Sequence, residues 1–328
     1  MSPFPETRLR RLRRTESLRR MLGQPLPGPE KFIWPVFLRE GRKVDEPVSA
    51  MPGQFRMSAD VLLKKLEPVA ASGVGGILLF GLTDPSKKDA NGSEAFNEKG
   101  AVQKAIPLIK KAFPQLTVFT DVCLCAYTDH GHCGPLNKAG EVDNDAALAL
   151  LQKVAVSHAA AGADCVAPSA MMDGQVLAIR EALDEHKLTD TLLMSYSSKF
   201  ASSMYGPFRE AEQSAPGKGD RQGYQAPYND LRQALRESEF DEDEGADILM
   251  VKPALMYLDI IQRLRDSTHL PVAAYNVSGE YSMLIAQADR GWGDLRAMVR
   301  ESTAAMQRAG TDIFISYWAN RYDELLRD

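Results

Sequence analysis

Ala161-Gly162-Ala163-Asp164-Cys165-Val166-Ala167-Pro168 decides the fold. A helix-like run over 145–161 ends on a glycine, a residue that adopts positive φ at little cost. The chain then passes directly into a short apolar run of strand character. The same passage recurs as Glu244-Gly-Ala-Asp247 and Ala309-Gly-Thr-Asp312. A unit that closes a helix on glycine and restarts as a buried strand is the signature of alternating β and α elements.

Eight short apolar runs read as strands: 32–38, 76–80, 116–123, 164–168, 192–196, 247–251, 271–276 and 312–317. Each is nearly continuously apolar, as strands buried on both faces of a parallel sheet must be. Helix-like segments follow at 59–71, 103–112, 145–161, 176–185, 230–244, 257–265, 281–288 and 294–309. Eight such units predict an α/β fold, a (β/α)8 TIM barrel. A doubly wound open sheet is the competing arrangement, but no G-x-G-x-x-G follows the first run.

The length of 328 residues suits one such barrel over 31–328, preceded by an arm over 1–30. Residues 8–20 carry seven arginines and no apolar stretch of signal-peptide length. An Arg-rich start also suits a transit peptide, against which Glu6 and Glu16 count, or a nucleic-acid arm. The net charge of -5 opposes nucleic acid, and the expectation is an arm that packs on a second copy of the chain. A hydrophobic fraction of 44% with 25% charged residues excludes wholesale disorder, and no apolar run is long enough to span a membrane. The expected partners are a small molecule and other copies of the chain, with neither nucleic acid nor membrane. Four cysteines, three of them within 123–133, suggest a metal or redox site in a reducing, cytoplasmic setting.

In a (β/α)8 barrel the chemistry sits at the C-terminal ends of the strands. Asp121, Cys123, Ser169, Lys199, Lys252, Ser278 and Tyr317 fall there. Lys252 ends the run Ile-Leu-Met-Val-Lys and Lys199 ends Met-Ser-Tyr-Ser-Ser-Lys. A charged lysine is costly to bury, and desolvation or a second cation lowers its pKa. Two lysines at one barrel mouth therefore point to a neutral amine able to form a Schiff base. Cys123, Cys125 and Cys133 form Cys-x-Cys-x7-Cys on one loop, a soft donor set suited to Zn2+. Three protein ligands leave a fourth position open; in a structural site His130 or His132 would fill it. Cys165 stands alone and reads as a buried apolar residue. The stretch 200–225 carries Arg209 and Arg221 amid glycines, either as a mobile lid that clamps an anion or as solvated surface.

These motifs resemble the porphobilinogen synthase (5-aminolevulinate dehydratase) family. The matching stretches are 51–56, 121–125, 130–134, 167–174, 194–202, 205–209, 250–253 and 277–281, in family order over almost the whole chain. The resemblance implies condensation of two 5-aminolevulinate molecules into porphobilinogen, in tetrapyrrole synthesis. It gives Lys252 the Schiff base to the first substrate and Lys199 the engagement of the second. It gives Ser278 and Tyr317 the carboxylate of the first, and Arg209 and Arg221 the carboxylate of the second. Ser169, Tyr205 and Gln225 are expected to line the substrate site, and Asp121 to transfer a proton or orient a lysine. The three cysteines match zinc ligands that some branches replace with carboxylates. Glu237 matches the anchor of an outlying magnesium in some bacterial members. Ala170 departs from members that carry an acidic residue there. An octamer of arm-hugging dimers is also implied. A class I aldolase would share one lysine but needs neither the cysteines nor a second lysine. A zinc-stabilised RNA-binding module would need neither lysine.

Overall fold

The computed structural model describes residues 5–217 and 219–328. Its strands are β1 (Phe32–Arg39), β2 (Asp45–Pro47), β3 (Phe55–Met57), β4 (Gly76–Leu82), β5 (Thr117–Val122), β6 (Cys165–Pro168), β7 (Leu192–Lys199), β8 (Ile248–Lys252), β9 (Val272–Asn276) and β10 (Ile313–Ser316). Its helices are α1 (Glu16–Leu22), α2 (Ala59–Ala71), α3 (Ala101–Ala112), α4 (Asn144–Ala160), α5 (Gln175–Glu185), α6 (Gly206–Glu212), α7 (Leu231–Asp243), α8 (Leu258–Ser267), α9 (Ser278–Asp289), α10 (Leu295–Ala309) and α11 (Tyr322–Leu325).

β1, β4, β5, β6, β7, β8, β9 and β10 pair in that order, all parallel. β10 returns to β1, with Phe32 opposite Phe314 and Ile33 opposite Ile315, so the sheet closes. This is the (β/α)8 barrel expected from the alternation. β1, β4, β6 and β8 are buried along nearly their whole length, which is why each reads as a continuous apolar run.

The glycine-closed helices behave as their sequence predicts. Gly162, Gly245 and Gly310 have φ of 102°, 100° and 108°. A side chain at Gly310 would also meet Arg265 Cγ at 2.6 Å. The aspartate two residues on has a further role. Asp164 accepts the Val118 N–H at 2.8 Å, Asp247 the Leu193 N–H at 2.8 Å, and Asp312 the Val272 N–H at 2.9 Å. Each carboxylate thus ties the start of its own strand to the strand before it. Aspartate N-caps at Asp143, Asp230 and Asp294 start α4, α7 and α10.

Three features escape a periodicity reading. β2 and β3 form a three-residue antiparallel pair against β1, too short to show a period. α6 opens on Gly206-Pro207, where proline at the first turn starts a helix although the pair resembles a loop. α9 begins at Ser278, three residues before the expected Tyr281. Its second residue is Gly279, where a Cβ would lie 2.5 Å from the Met204 carbonyl.

Ahead of β1, residues 5–25 are almost entirely exposed. They contain a short 3-10 turn over Leu9–Arg13 and α1, capped by Thr15. Near its end the segment is tied to the barrel, where Gln307 and Tyr322 donate to the carbonyls of Pro25 and Pro27. No helix of the described residues is long and apolar enough to cross a membrane.

Candidate active site

Lys199 and Lys252 are the last residues of β7 and β8 and are register partners. Both are buried, at 5% and 4% exposure. The Lys252 Nζ lies among aromatic rings, 4.3 Å from the centroid of Tyr275, 4.9 Å from Phe208 and 5.0 Å from Tyr196. Burial lowers its pKa to about 7, helped by the positive charge of Lys199 and opposed by Asp121 and Glu212. At an ordinary pKa of ~10.4 about one lysine in 2,500 is neutral at pH 7; at about 7 roughly half are. The Lys199 Nζ donates to the Ser169 carbonyl.

Cys123, Cys125 and Cys133 lie on the loop after β5, all buried, their sulfurs within 4.8 Å of one another. Cys123 and Cys125 Sγ are 3.4 Å apart. Hydrogen bonds from the Cys123 and Cys125 thiols hold the Cys133 thiol well below its usual range, with Arg221 and Lys199 adding to the effect. Sulfurs around a tetrahedral ion at ~2.3 Å are about 3.8 Å apart, so this soft donor set fits a metal ion. His130 and His132 do not join it. His130 Nδ1 accepts the His132 N–H, and His132 Nδ1 pairs with the Tyr224 hydroxyl at 3.3 Å. Asp121, on β5, is partly buried, and its enclosed Oδ1 has no hydrogen-bond partner among the described residues. Burial pushes its pKa up to about 7, with the Glu212 carboxylate second.

The stretch after β7 folds over this mouth as α6 and the loop behind it. Tyr205 donates to the Lys252 carbonyl at 3.1 Å. Ser278 Oγ accepts the Phe208 N–H at 3.0 Å, fastening α6 to the start of α9. The Tyr317 hydroxyl pairs with that of Tyr275 at 3.0 Å. Arg221 is buried and donates to the carbonyls of Gly131 and Ser214, so it is not a solvated surface residue. Arg209 is half-buried, and desolvation lowers its pKa. Among the described residues, the Nε atoms of Arg209 and Arg221, both amide atoms of Gln225 and the Tyr196 hydroxyl are buried without partners. Buried polar groups are normally satisfied. These unpaired atoms are available to a polar ligand.

Glu237 lies apart from this cluster, half-buried on α7, with Gln233 Nε2 at 3.5 Å. Burial raises its pKa, and Asp173 and Glu244 add to the rise. Among the described residues it joins no group of three potential metal ligands. A surface cavity of about 780 Å3, lined by residues such as Gln152, Lys153 and His186, carries neither the lysines nor the cysteines. Two residues near the lysines and cysteines escape the sequence reading. Tyr196, within the strand run before Lys199, has its ring 5.4 Å from the Lys199 Nζ. Glu212, at the end of α6, is buried with Oε2 3.4 Å from Cys125 Sγ. Burial pushes its pKa up to about 8.

Fold and mouth together define a closed (β/α)8 barrel with its reactive side chains gathered at the C-terminal ends of the strands. The chain belongs to the delta-aminolevulinic acid dehydratase family, whose model matches residues 6–325. It is 49% identical over 319 residues to the delta-aminolevulinic acid dehydratase of Synechococcus elongatus, covering 96% of this chain and 97% of that protein. The protein of that name from Archaeoglobus fulgidus is 48% identical over 327 residues, covering 100% of both. A crystal structure of the Toxoplasma gondii enzyme, also called porphobilinogen synthase, in complex with its product porphobilinogen superposes with a TM-score of 0.93. It is 40% identical, and the match covers 96% of this chain and 90% of that one.

Proposed function

We propose that this chain condenses two molecules of 5-aminolevulinate to porphobilinogen, with loss of two waters, through lysine Schiff bases at the barrel mouth. The observation that carries the reading is the pairing of two buried lysines at the ends of neighbouring strands, beside unsatisfied polar groups. Family membership supports the overall reaction.

Neutral Lys252 attacks the ketone of the first substrate. The C=N bond forms as the ketone oxygen leaves as water. The imine draws electrons from the neighbouring carbon, so a proton there becomes removable. Lys199 engages the second substrate in the same manner. Asp121, two residues before Cys123 and with its enclosed Oδ1 unpartnered, is the candidate to carry a proton or to orient a lysine. Ser278 and Tyr317 hold the first carboxylate; Arg209 and Arg221 hold the second. Ser169, Tyr205, Tyr196 and Gln225 line the pocket. Holding both substrates together replaces a bimolecular encounter and is worth several kcal/mol.

Cys123, Cys125 and Cys133 are assigned to zinc, which when bound would act as a Lewis acid toward the second substrate. An outlying magnesium would fall at Glu237, near Asp173 and Glu244. The arm over 1–30, almost entirely exposed at 5–25 and with residues 1–4 outside the described residues, is assigned to self-association into a homo-octamer. The sparse free cysteines suit a reducing cytoplasm. A class I aldolase has no use for the cysteine cluster or the second lysine. Incubation of the purified protein with 5-aminolevulinate, followed by a colour reaction for pyrrole, tests the reading. Time-dependent pyrrole supports it; none with zinc supplied would reject it.

A further inference from the structure

We propose that Asp241 is a positioning residue: through Ser195 it holds a bulge in β7 that turns Lys199 into the barrel mouth. The inference rests on the reading of the paired lysines as the reacting amines and adds the group that aims one of them.

The register of the two strands contains the bulge. Ser195 stands opposite Leu249 and Ser198 opposite Val251, so β7 carries one residue more than β8 between those pairs. Side chains alternate between the faces of a strand, so residues three apart on a regular strand point to opposite sides. The extra residue cancels that rule. The Tyr196 ring is 5.4 Å from the Lys199 Nζ and 5.0 Å from the Lys252 Nζ, so Tyr196 and Lys199 share the mouth. Ser195 and Ser198 share the outer face, where both meet α7. Were β7 regular, either Tyr196 or Lys199 would point at α7 instead.

α7 meets the bulge with Ala234, Ser238 and Asp241, which lie at i, i+4 and i+7 and so on one face of the helix. The Ser195 hydroxyl donates to the Asp241 carboxylate at 2.5 Å. The Ser198 hydroxyl donates to the Ala234 carbonyl at 2.9 Å and lies 2.9 Å from the Ser238 hydroxyl. Within the bulge the Ser197 hydroxyl donates to the Ser195 carbonyl at 3.3 Å. Ser195, Ser198 and Ser238 are fully buried. Hydroxyls buried between a barrel strand and its helix are costly unless bonded, so these bonds favour the bulged register over a regular one. Asp241 is on the outer side of β7, away from the substrates, and reaches the chemistry only through the strand.

The test reads the pH dependence of single-turnover imine formation at Lys252. The charge of Lys199 disfavours the protonated form of Lys252, while Asp121, Glu212 and Cys125 favour it. Asp241→Ala and Ser195→Ala break the same bond from its two sides, and Asp241→Asn keeps an acceptor for Ser195. Ser195→Ala removes only a hydroxyl, so the test survives if Asp241→Ala does not fold. With Lys199 turned away from the mouth, the Lys252 limb should move up in both alanine variants and stay in place in Asp241→Asn. A limb about one pH unit higher slows imine formation about fivefold at pH 7 and leaves it nearly unchanged at pH 9. Loss of a carboxylate charge alone would move the limb down, so the sign separates lost positioning from lost charge. On a Lys199→Met background, Asp241→Ala should add no further shift, because it acts through Lys199. A limb unmoved or lowered in both alanine variants, or the same shift repeated on the Lys199→Met background, would overturn the role of Asp241 and leave the lysines standing. Absence of a borohydride-trapped 5-aminolevulinate adduct on Lys252 of the original protein would overturn the lysine reading itself, and the positioning role with it.

Discussion

Lys199 and Lys252 are directly opposite each other in register at the ends of β7 and β8. The consequence is electrostatic. The charge of Lys199 disfavours a second positive charge at this buried mouth, so burial and repulsion act together on Lys252 and leave its pKa at about 7.

The rate should therefore depend on pH with a definite sign. Protonation of Lys252 as the pH falls through about 7 removes the nucleophile. We expect kcat/KM to fall about tenfold per unit below that point. Lys199→Met removes the second cation and should move the Lys252 limb upward. A pH–rate profile of single-turnover imine formation checks both. Lys252→Arg should lack measurable turnover, since arginine stays protonated.

Metal removal gives the second expectation. Chelation should abolish turnover and zinc should restore it, with one ion bound per cysteine cluster by atomic absorption. Cys133→Ser, which replaces a thiolate with a poor ligand, should lose most of the bound zinc. Full turnover in metal-free protein would remove zinc from the account.

The barrel is legible in the sequence because burial on both faces leaves each strand a continuous apolar run, as in Ile248–Lys252. Gly162, Gly245 and Gly310 are legible because positive φ selects glycine. Asp164, Asp247 and Asp312 are not, since their partners lie in the preceding strand 40 or more residues away. The lysines and cysteines announce themselves by residue type and place. Glu212 does not. Within Arg-Glu-Ala-Glu-Gln it has the look of a solvated helix face, and only the folding of α6 over the mouth brings it to Cys125, 87 residues earlier. Arg221 is likewise indistinguishable from a surface arginine until Gly131 and Ser214 are seen to enclose it.

His158 predicts the acid limb of stability. It is buried on α4, neither ring nitrogen has a partner among the described residues, and burial lowers its pKa to about 3. The unfolded chain, with a pKa near 6.5, binds the proton that the native state refuses. Stability is therefore retained above about pH 6.5 and lost as the pH falls below it. At ~1.4 kcal/mol per unit, this residue alone costs about 2 kcal/mol between pH 7.5 and pH 5. Urea unfolding of His158→Leu should show a correspondingly shallower acid slope.

The arm should matter for assembly and not for the barrel fold. Leu9, Leu12, Met21 and Leu22 are 56–76% exposed, and the barrel strands begin only at Phe32. Deleting residues 1–24 should give a smaller species by sedimentation velocity, lower turnover and an unchanged circular dichroism spectrum. Retention of both the full assembly and full turnover would show the arm dispensable.

Borohydride trapping distinguishes covalent chemistry at the paired lysines from mere substrate binding there. The protein is incubated with 5-aminolevulinate, reduced with borohydride, digested and mapped by mass spectrometry. A reduced substrate adduct is expected on Lys252, absent without substrate and absent in Lys252→Arg. An adduct confined to lysines outside the barrel mouth, or turnover undiminished in Lys252→Arg, would contradict it.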